Sequence, residues 1–188
     1  MRSDRTRPAV ALVLALFASS CLSAPEPPKY RYLVLSTDTP SSAAPLELAH
    51  PVRLVEIGAD DGARDVLTWQ GPGARLERRA LDRWAVAPTD HVRRLVLERL
   101  APGGPAASAR RLSIEIVAFG GSGAGSEARA QVELFATVEA ADGTLVSARS
   151  YSAERLLDAG ADPLDELCAQ LGQISAELVT RVVTDAGS

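Results

Sequence analysis

The sequence predicts an α+β fold: a single antiparallel or mixed β-sheet packed by two main α-helices, after an N-terminal signal helix and a flexible tether. Three observations carry this. Apolar residues alternate from Ala128 to Ala140 and again from Leu112 to Ile116, and they recur at steps of three and four from Leu164 to Val183. Clusters of Pro, Gly and Asp punctuate the chain between these runs. At 188 residues, 46% hydrophobic and 23% charged, with a net charge of −4, the composition is that of one ordinary globular domain, neither disordered nor fibrous.

The elements follow in order. Tyr30 to Leu35 is a short β-rich run, ended by the Ser, Thr, Pro and Ala stretch from Ser36 to Pro45, which reads as a loop. Leu46 to Ile57 alternates loosely around Pro51, which predicts a strand bulged or at an edge there. Asp60-Asp61-Gly62 is a turn signal leading into a strand from Val66 to Trp69. After Gly71-Pro72-Gly73, Ala74 to Arg79 is a polar-faced strand. Pro88, Thr89 and Asp90 supply helix-start chemistry, with Val92, Leu95, Val96 and Leu100 on one face and Pro102-Gly103-Gly104-Pro105 as the stop.

From Arg111, Leu112, Ile114 and Ile116 alternate with Ser113 and Glu115 as a half-buried strand. Gly120 to Gly125 reads as a hairpin loop, because it lacks the Gly-Lys-Ser/Thr ending of a phosphate cradle and a strand follows it. Glu127 to Ala140 is a long antiparallel strand with one wet side, and Ala141-Asp142-Gly143 turns it back into Thr144 to Ser152. Pro163 to Thr184 is an amphipathic helix whose stripe comprises Leu164, Leu167, Cys168, Leu171, Ile174, Leu178, Val182 and Val183. It should pack across the sheet.

The first thirty residues address location. Arg2, Arg5 and Arg7 form a positive n-region, Ala9 to Ala18 an unbroken apolar run, and Ala18-Ser19-Ser20 place small residues directly before Cys21. Residues 1–20 therefore read as a bacterial export signal. The apolar run holds ten residues, whereas a hydrocarbon core of about 30 Å takes about 20 at helical rise, so cleavage is expected and not a permanent span. The arrangement is similar to the lipobox of bacterial lipoproteins, which implies a diacylglycerol thioether on Cys21 and an acylated mature N-terminus. Several acyl chains anchor stably where a single chain binds marginally. Leu22, in place of the Asp that favours inner-membrane retention in enteric bacteria, points to the outer membrane. A plain secretory signal cut nearby, with Cys21 incidental, is the competing reading.

Residues 21–29, with Pro25, Pro27 and Pro28, form the tether, and residues 30–188 form the domain. From Ser23 to Lys29 the tether reaches about 20 Å at about 3.1 Å per residue. Removing 20 residues that carry a net +2 leaves 168 residues with a net charge of −6. That charge is unevenly spread: Arg75 to Arg111 carries a net +5 and Glu127 to the end a net −7. Such polarity steers docking to a charged partner or lipid headgroups, or else the two faces neutralise one another in the fold.

No catalytic, cofactor or metal set emerges, and the chain is expected not to be an enzyme. Cys168, on the apolar stripe, reads as a small core residue. His50 and His91 read as surface histidines, far apart in sequence and without carboxylate or cysteine neighbours at metal spacing. No Gly-x-Ser-x-Gly elbow occurs. An aromatic content of 4% and an acidic exported chain argue against a nucleic-acid partner.

The segment from Val66 to Leu100 resembles the ABC-type transport auxiliary lipoproteins, the PqiC-like family. The resemblance is carried by a strand at Tyr30 to Leu35 behind the lipid cysteine, an Arg-rich strand before Arg83-Trp84-Ala85, and Pro88 opening a helix that ends in Glu98-Arg99-Leu100. The later strand pair and the long final helix also fit. The resemblance implies a periplasmic domain tethered to the outer membrane. It would be a non-catalytic accessory component working with an inner-membrane ABC transporter and its MCE-type substrate-binding subunit to move lipids between membranes. Arg83 and Trp84 are the candidate partner-docking or family-signature residues; for Trp84 a packing role that locks the helix entry to the sheet is favoured over a ligand contact, with Arg83 exposed beside it. A free-standing envelope lipoprotein binding a small ligand or the cell wall is the alternative from another class, and a tethered hydrolase the third.

Overall fold

The computed structural model describes residues 28–35, 44–59, 66–71, 76–100, 107–158 and 162–188. In chain order the elements are β1 (Arg31–Leu33), β2 (Val52–Ala59), β3 (Val66–Gln70), β4 (Leu76–Trp84), α1 (Pro88–Arg99), β5 (Arg110–Ser122), β6 (Arg129–Glu139), β7 (Leu145–Leu156) and α2 (Pro163–Gly187). The strands form one mixed, open sheet in the order β1-β4-β3-β5-β6-β7, and β2 also pairs with β5. The β1/β4, β2/β5 and β3/β5 pairs are parallel. The β3/β4, β5/β6 and β6/β7 pairs are antiparallel. This is the α+β architecture that the periodicities require.

The strict alternation in β6 becomes a strict alternation in burial. Ala130, Val132, Leu134, Ala136 and Val138 are buried on one face, level with Leu112, Ile114, Ile116 and Phe119 of β5. Helix α2 covers that face, crossing β5, β6 and β7 and packing against α1. Every apolar residue of its predicted stripe, Cys168 included, is buried. Each fully buried Leu or Ile side chain contributes about 1.5–3 kcal/mol, so this two-layer core outweighs any surface contact.

The helix ends are held by named groups. Asp162 caps α2 by accepting from the amides of Leu164 at 2.9 Å and Asp165 at 3.4 Å, with Pro163 at the first helical position. At the other end the orphan carbonyls of Ala186 and Gly187 accept from Arg110 Nη1 at 3.0 Å and the His50 amide at 2.9 Å. The Leu46 amide donates to Arg99 O, at the end of α1, at 2.9 Å. The segment around Leu46 to His50 is therefore a clasp for two helix termini and not the first half of a strand. β2 begins only after Pro51, and its bulge falls at Val55 between Leu54 and Glu56, not at the proline.

A second correction concerns Gly120 to Gly125. β5 runs on through Gly120, Gly121 and Ser122, which pair in parallel with Thr68, Trp69 and Gln70 of β3. The chain turns only at Gly123 (φ +77°) and Gly125 (φ +57°). The first two glycines serve a close approach: a Cβ on Gly120 would stand 2.2 Å from Thr68 O, and one on Gly121 2.3 Å from the Trp69 ring. Gly120→Ala is expected to cost about 1–3 kcal/mol by overpacking backbone. Gly125→Ala, with open space around it but a left-handed φ, is expected to cost about 1 kcal/mol. Chemical denaturation of both variants checks the order, and equal losses would contradict the close β3/β5 contact.

His91 also departs from expectation, because the first turn of α1 faces the core and the ring is buried, not on the surface. Arg94 Nη2 donates to its Nδ1 at 3.3 Å, which leaves the proton on Nε2, a buried atom without a partner among the described residues. Burial, and secondarily the nearby Arg94 charge, push the His91 pKa down from 6.5 to about 4. The ring is thus neutral in the fold, while the unfolded chain protonates it near pH 6.5. Its contribution is complete above about pH 6.5 and is lost as the pH falls towards 4, by up to about 3 kcal/mol. Between these pH values the wild type is expected to lose stability relative to His91→Gln; parallel profiles in urea titrations would contradict it.

Candidate functional site

Arg83 and Trp84 close β4, where it lies between β1 and β3. Trp84 stands in register with Leu33, and the Ala85 amide donates to Leu33 O at 2.8 Å, so the chain follows β1 for one more residue before α1 starts at Pro88. The Trp84 indole is buried and meets Phe119 edge-on, with ring centroids 5.5 Å apart and planes at 85°. Its Nε1 is buried without a hydrogen-bond partner among the described residues. Trp84 is therefore a buried packing residue, but the contact described joins the Arg-rich strand to the centre of the sheet, not the helix to the sheet.

Arg83 is partly buried, not fully exposed, because its guanidinium lies 4.8 Å from the centroid of the Tyr30 ring. The neighbouring register break explains the local geometry. Leu67 pairs with Arg79 and Val66 with Arg83, so β4 carries three extra residues, Ala80, Leu81 and Asp82, against β3. Asp82 is buried there. Its carboxylate accepts from Arg31 Nε at 2.8 Å and lies 3.6 Å from Arg79 Nη1. A carboxylate taken out of water needs such cations, and the Arg31 pair fastens β1 onto β4. Arg79 also sits 5.5 Å from the Trp69 ring centroid, and Trp69 Nε1 donates to Gly123 O at 2.8 Å.

On the other face of β1 and β4 the side chains are exposed and apolar. Tyr32 is in register with Arg83, opposite in direction to the buried Leu33. Tyr30, Tyr32, Val34 and Leu81 are 46%, 64%, 67% and 51% exposed. The alternation of Tyr30, Tyr32 and Val34 across the first strand was the available sequence signal for this patch. Asp82 had none, because its burial comes from a register break between distant segments.

Elsewhere the molecule offers shallow features. An open groove of about 460 Å³ between the helices is lined by Arg99, Gln173, Ala176, Glu177, Thr180 and Arg181. A second hollow, about 340 Å³, lies on the wet face of the sheet beside Glu56, Glu115 and Phe135. Among the described residues no group of three His, Cys, Asp or Glu side chains is placed to hold a metal ion. Cys168 is a buried thiol whose pKa is pushed up to about 11, first by burial and then by Asp165, so it stays protonated. Cys21 lies outside the described residues, as does the tether up to Pro27. No described helix is long and apolar enough to cross a membrane.

The charge blocks are bridged by Arg111 and Glu139 at 3.4 Å. Other pairs stay within a block: Arg94 with Glu98, Arg129 with Glu154, Arg149 with Asp185, and Arg155 with Glu177. The polarity visible in the sequence is thus only partly cancelled by the contacts described.

If Trp84 is a packing residue, its ring volume matters and its N–H does not. Trp84→Ala is expected to cost about 3–5 kcal/mol. Trp84→Phe should cost much less, since no hydrogen bond from Nε1 is lost, and Arg83→Ala about 1 kcal/mol or less. Thermal and urea unfolding check this, and a Phe variant as damaged as the Ala variant would contradict it.

No family model matches the sequence, and no curated protein matches it. The fold does have counterparts among solved structures. It is similar to that of a DUF330-family protein from Xanthomonas campestris, with a TM-score of 0.65 and 17% identity, covering 84% of this chain and 94% of that one. A second similar structure, of an uncharacterized protein, has a TM-score of 0.63 and 12% identity, covering 84% of this chain and 98% of the other. At these identities the likeness is one of fold, and it extends over nearly the whole length of both counterparts.

Proposed function

We propose that the chain is an outer-membrane-anchored periplasmic lipoprotein, a non-catalytic accessory component of an ABC/MCE-type system that moves lipids or other hydrophobic molecules between membranes. The observation that carries this reading is a DUF330-like fold that begins at Tyr30, nine residues beyond a cysteine placed at the end of an export signal. The fold is consistent with the PqiC-like resemblance of the Arg83-Trp84 region. The described residues bring together shallow, open surfaces and a packed core, an arrangement suited to docking more than to sequestering a reaction from water. In this reading the MCE-type subunit meets the outer face of α1, where Arg93 and Arg94 are exposed and charge steers an encounter that ionic strength weakens.

Radiolabelled palmitate is expected to label the wild type and not Cys21→Ala; equal labelling of the two removes the anchor. Photocrosslinkers at the exposed α1 positions Arg93, Arg94 and Leu97 are expected to recover a transporter subunit from native membranes. Their failure, together with a small ligand retained by the purified chain through gel filtration, would replace the transport role with that of a free-standing envelope lipoprotein.

A further inference from the structure

We infer that the outer face of the β1/β4 edge is a membrane-seating surface, which lays Tyr30, Tyr32, Val34 and Leu81 against phospholipid headgroups and so fixes the orientation of the anchored domain. This rests on the proposed lipidation of Cys21 and adds what the domain does at the end of its tether.

Three observations converge. First, the patch is apolar and aromatic: its four large side chains are each about half exposed or more, Tyr32 on β1 and Leu81 on β4, with Tyr30 and Val34 flanking β1 on the same alternation. Tyrosine suits the interface between water and lipid, because the ring is apolar and the hydroxyl stays hydrated. Second, the surrounding charge is complementary to lipid phosphates. Residues 29–35 and 76–84 carry five cations, Lys29, Arg31, Arg78, Arg79 and Arg83, against two carboxylates, Glu77 and Asp82. Asp82, in register with Arg31, lies on the face opposite Tyr32 and is paired there with Arg31 and Arg79, so neither its carboxylate nor Arg31 fronts the surface. The Arg83 guanidinium, placed over the Tyr30 ring, presents charge and apolar stem together.

Third, the chain enters the fold at this edge. Tyr30 lies nine positions beyond Cys21, so even a fully extended tether keeps it within about 30 Å of an acylated Cys21. Confinement of that kind raises the effective concentration of the membrane surface to about the millimolar range. A patch with only millimolar affinity for lipid is then occupied much of the time. Four side chains are enough for that, and a large hydrophobic surface, which would threaten solubility before anchoring, is not required.

The test separates seating from anchoring. Mature chain with Cys21→Ser is mixed with vesicles of phosphatidylethanolamine, with and without phosphatidylglycerol, and sedimented. The unlipidated chain is expected to bind weakly, more to the vesicles containing phosphatidylglycerol, and less as salt rises. Adding Tyr32→Ser and Val34→Ser is expected to lower the partition by about tenfold. The paired control, Leu145→Ser with Val146→Ser, removes exposed apolar side chains at the far edge of the sheet and is expected to leave it unchanged. Circular dichroism checks that each variant folds.

Absence of vesicle binding by Cys21→Ser, or an equal loss in the far-edge control, would overturn the seating surface. So would a photocrosslinker at position 32 that recovers a protein and no lipid from native membranes. Palmitate labelling of the wild type reports the anchor independently: an unlabelled wild type whose position-32 vesicle binding persists would retain the surface and discard the anchor.

Discussion

β5 carries three strands on two edges: β6 along one side, and on the other first β2, beside Arg110 to Ile116, and then β3, beside Gly120 to Ser122. This sharing is the constraint on which the remaining architecture depends. It needs a change of course midway, supplied by the break in register between Ile116 and Ala118. It also needs two positions without side chains, Gly120 and Gly121, against which β3 can lie. β3 in turn positions β4, and β4 positions β1, so the whole Arg-rich edge is hung from those two glycines. On the opposite side β6 and β7 continue the sheet and supply the floor for α2.

Much of this was legible because it is periodic. β6 and α2 repeat their apolar residues at two residues and at about 3.6, over 11 and 25 residues, and no tertiary contact is required to recognise either. Prolines marked the starts of both helices within a residue, since Pro fits the first turn where its missing N–H costs nothing. What misled was context. Gly120 and Gly121 look like loop residues to any local rule, yet they pair with β6 on one side and, on the other, with β3 from fifty residues earlier. His91 has a polar side chain at a helix start, and the orientation of that turn towards the core is decided by where α1 meets the sheet. Leu46 to His50 has strand-like composition but spends its amides on helix carbonyls.

The candidate site was legible to a different degree. Trp84 could be assigned to packing from its large indole ring at the end of the Arg-rich strand, and the edge-on contact with Phe119 is the form that packing takes. The Arg31–Asp82–Arg79 cluster could not, because it joins residues from two strands across a break in pairing. Charge blocks were visible as sums, yet a sum does not reveal that most of the pairs described lie within a block. Cys168 is buried and protonated, and the groove between the helices opens to the outside. Under the proposed anchoring, attachment and orientation are the quantities that matter.

β1 gives those quantities a mechanical side. It contributes three residues, paired in parallel with β4 and fastened by Arg31 to Asp82. A pull along the N-terminal segment runs along the strand, so its hydrogen bonds and the ion pair resist in shear and share the load. If they yield, three residues join the leash and lengthen it by about 10 Å. The same event strips Leu33 from beside Trp84 and uncovers the core at that edge. The shortest of the described strands is therefore the first catch that a pull on the N-terminal segment releases.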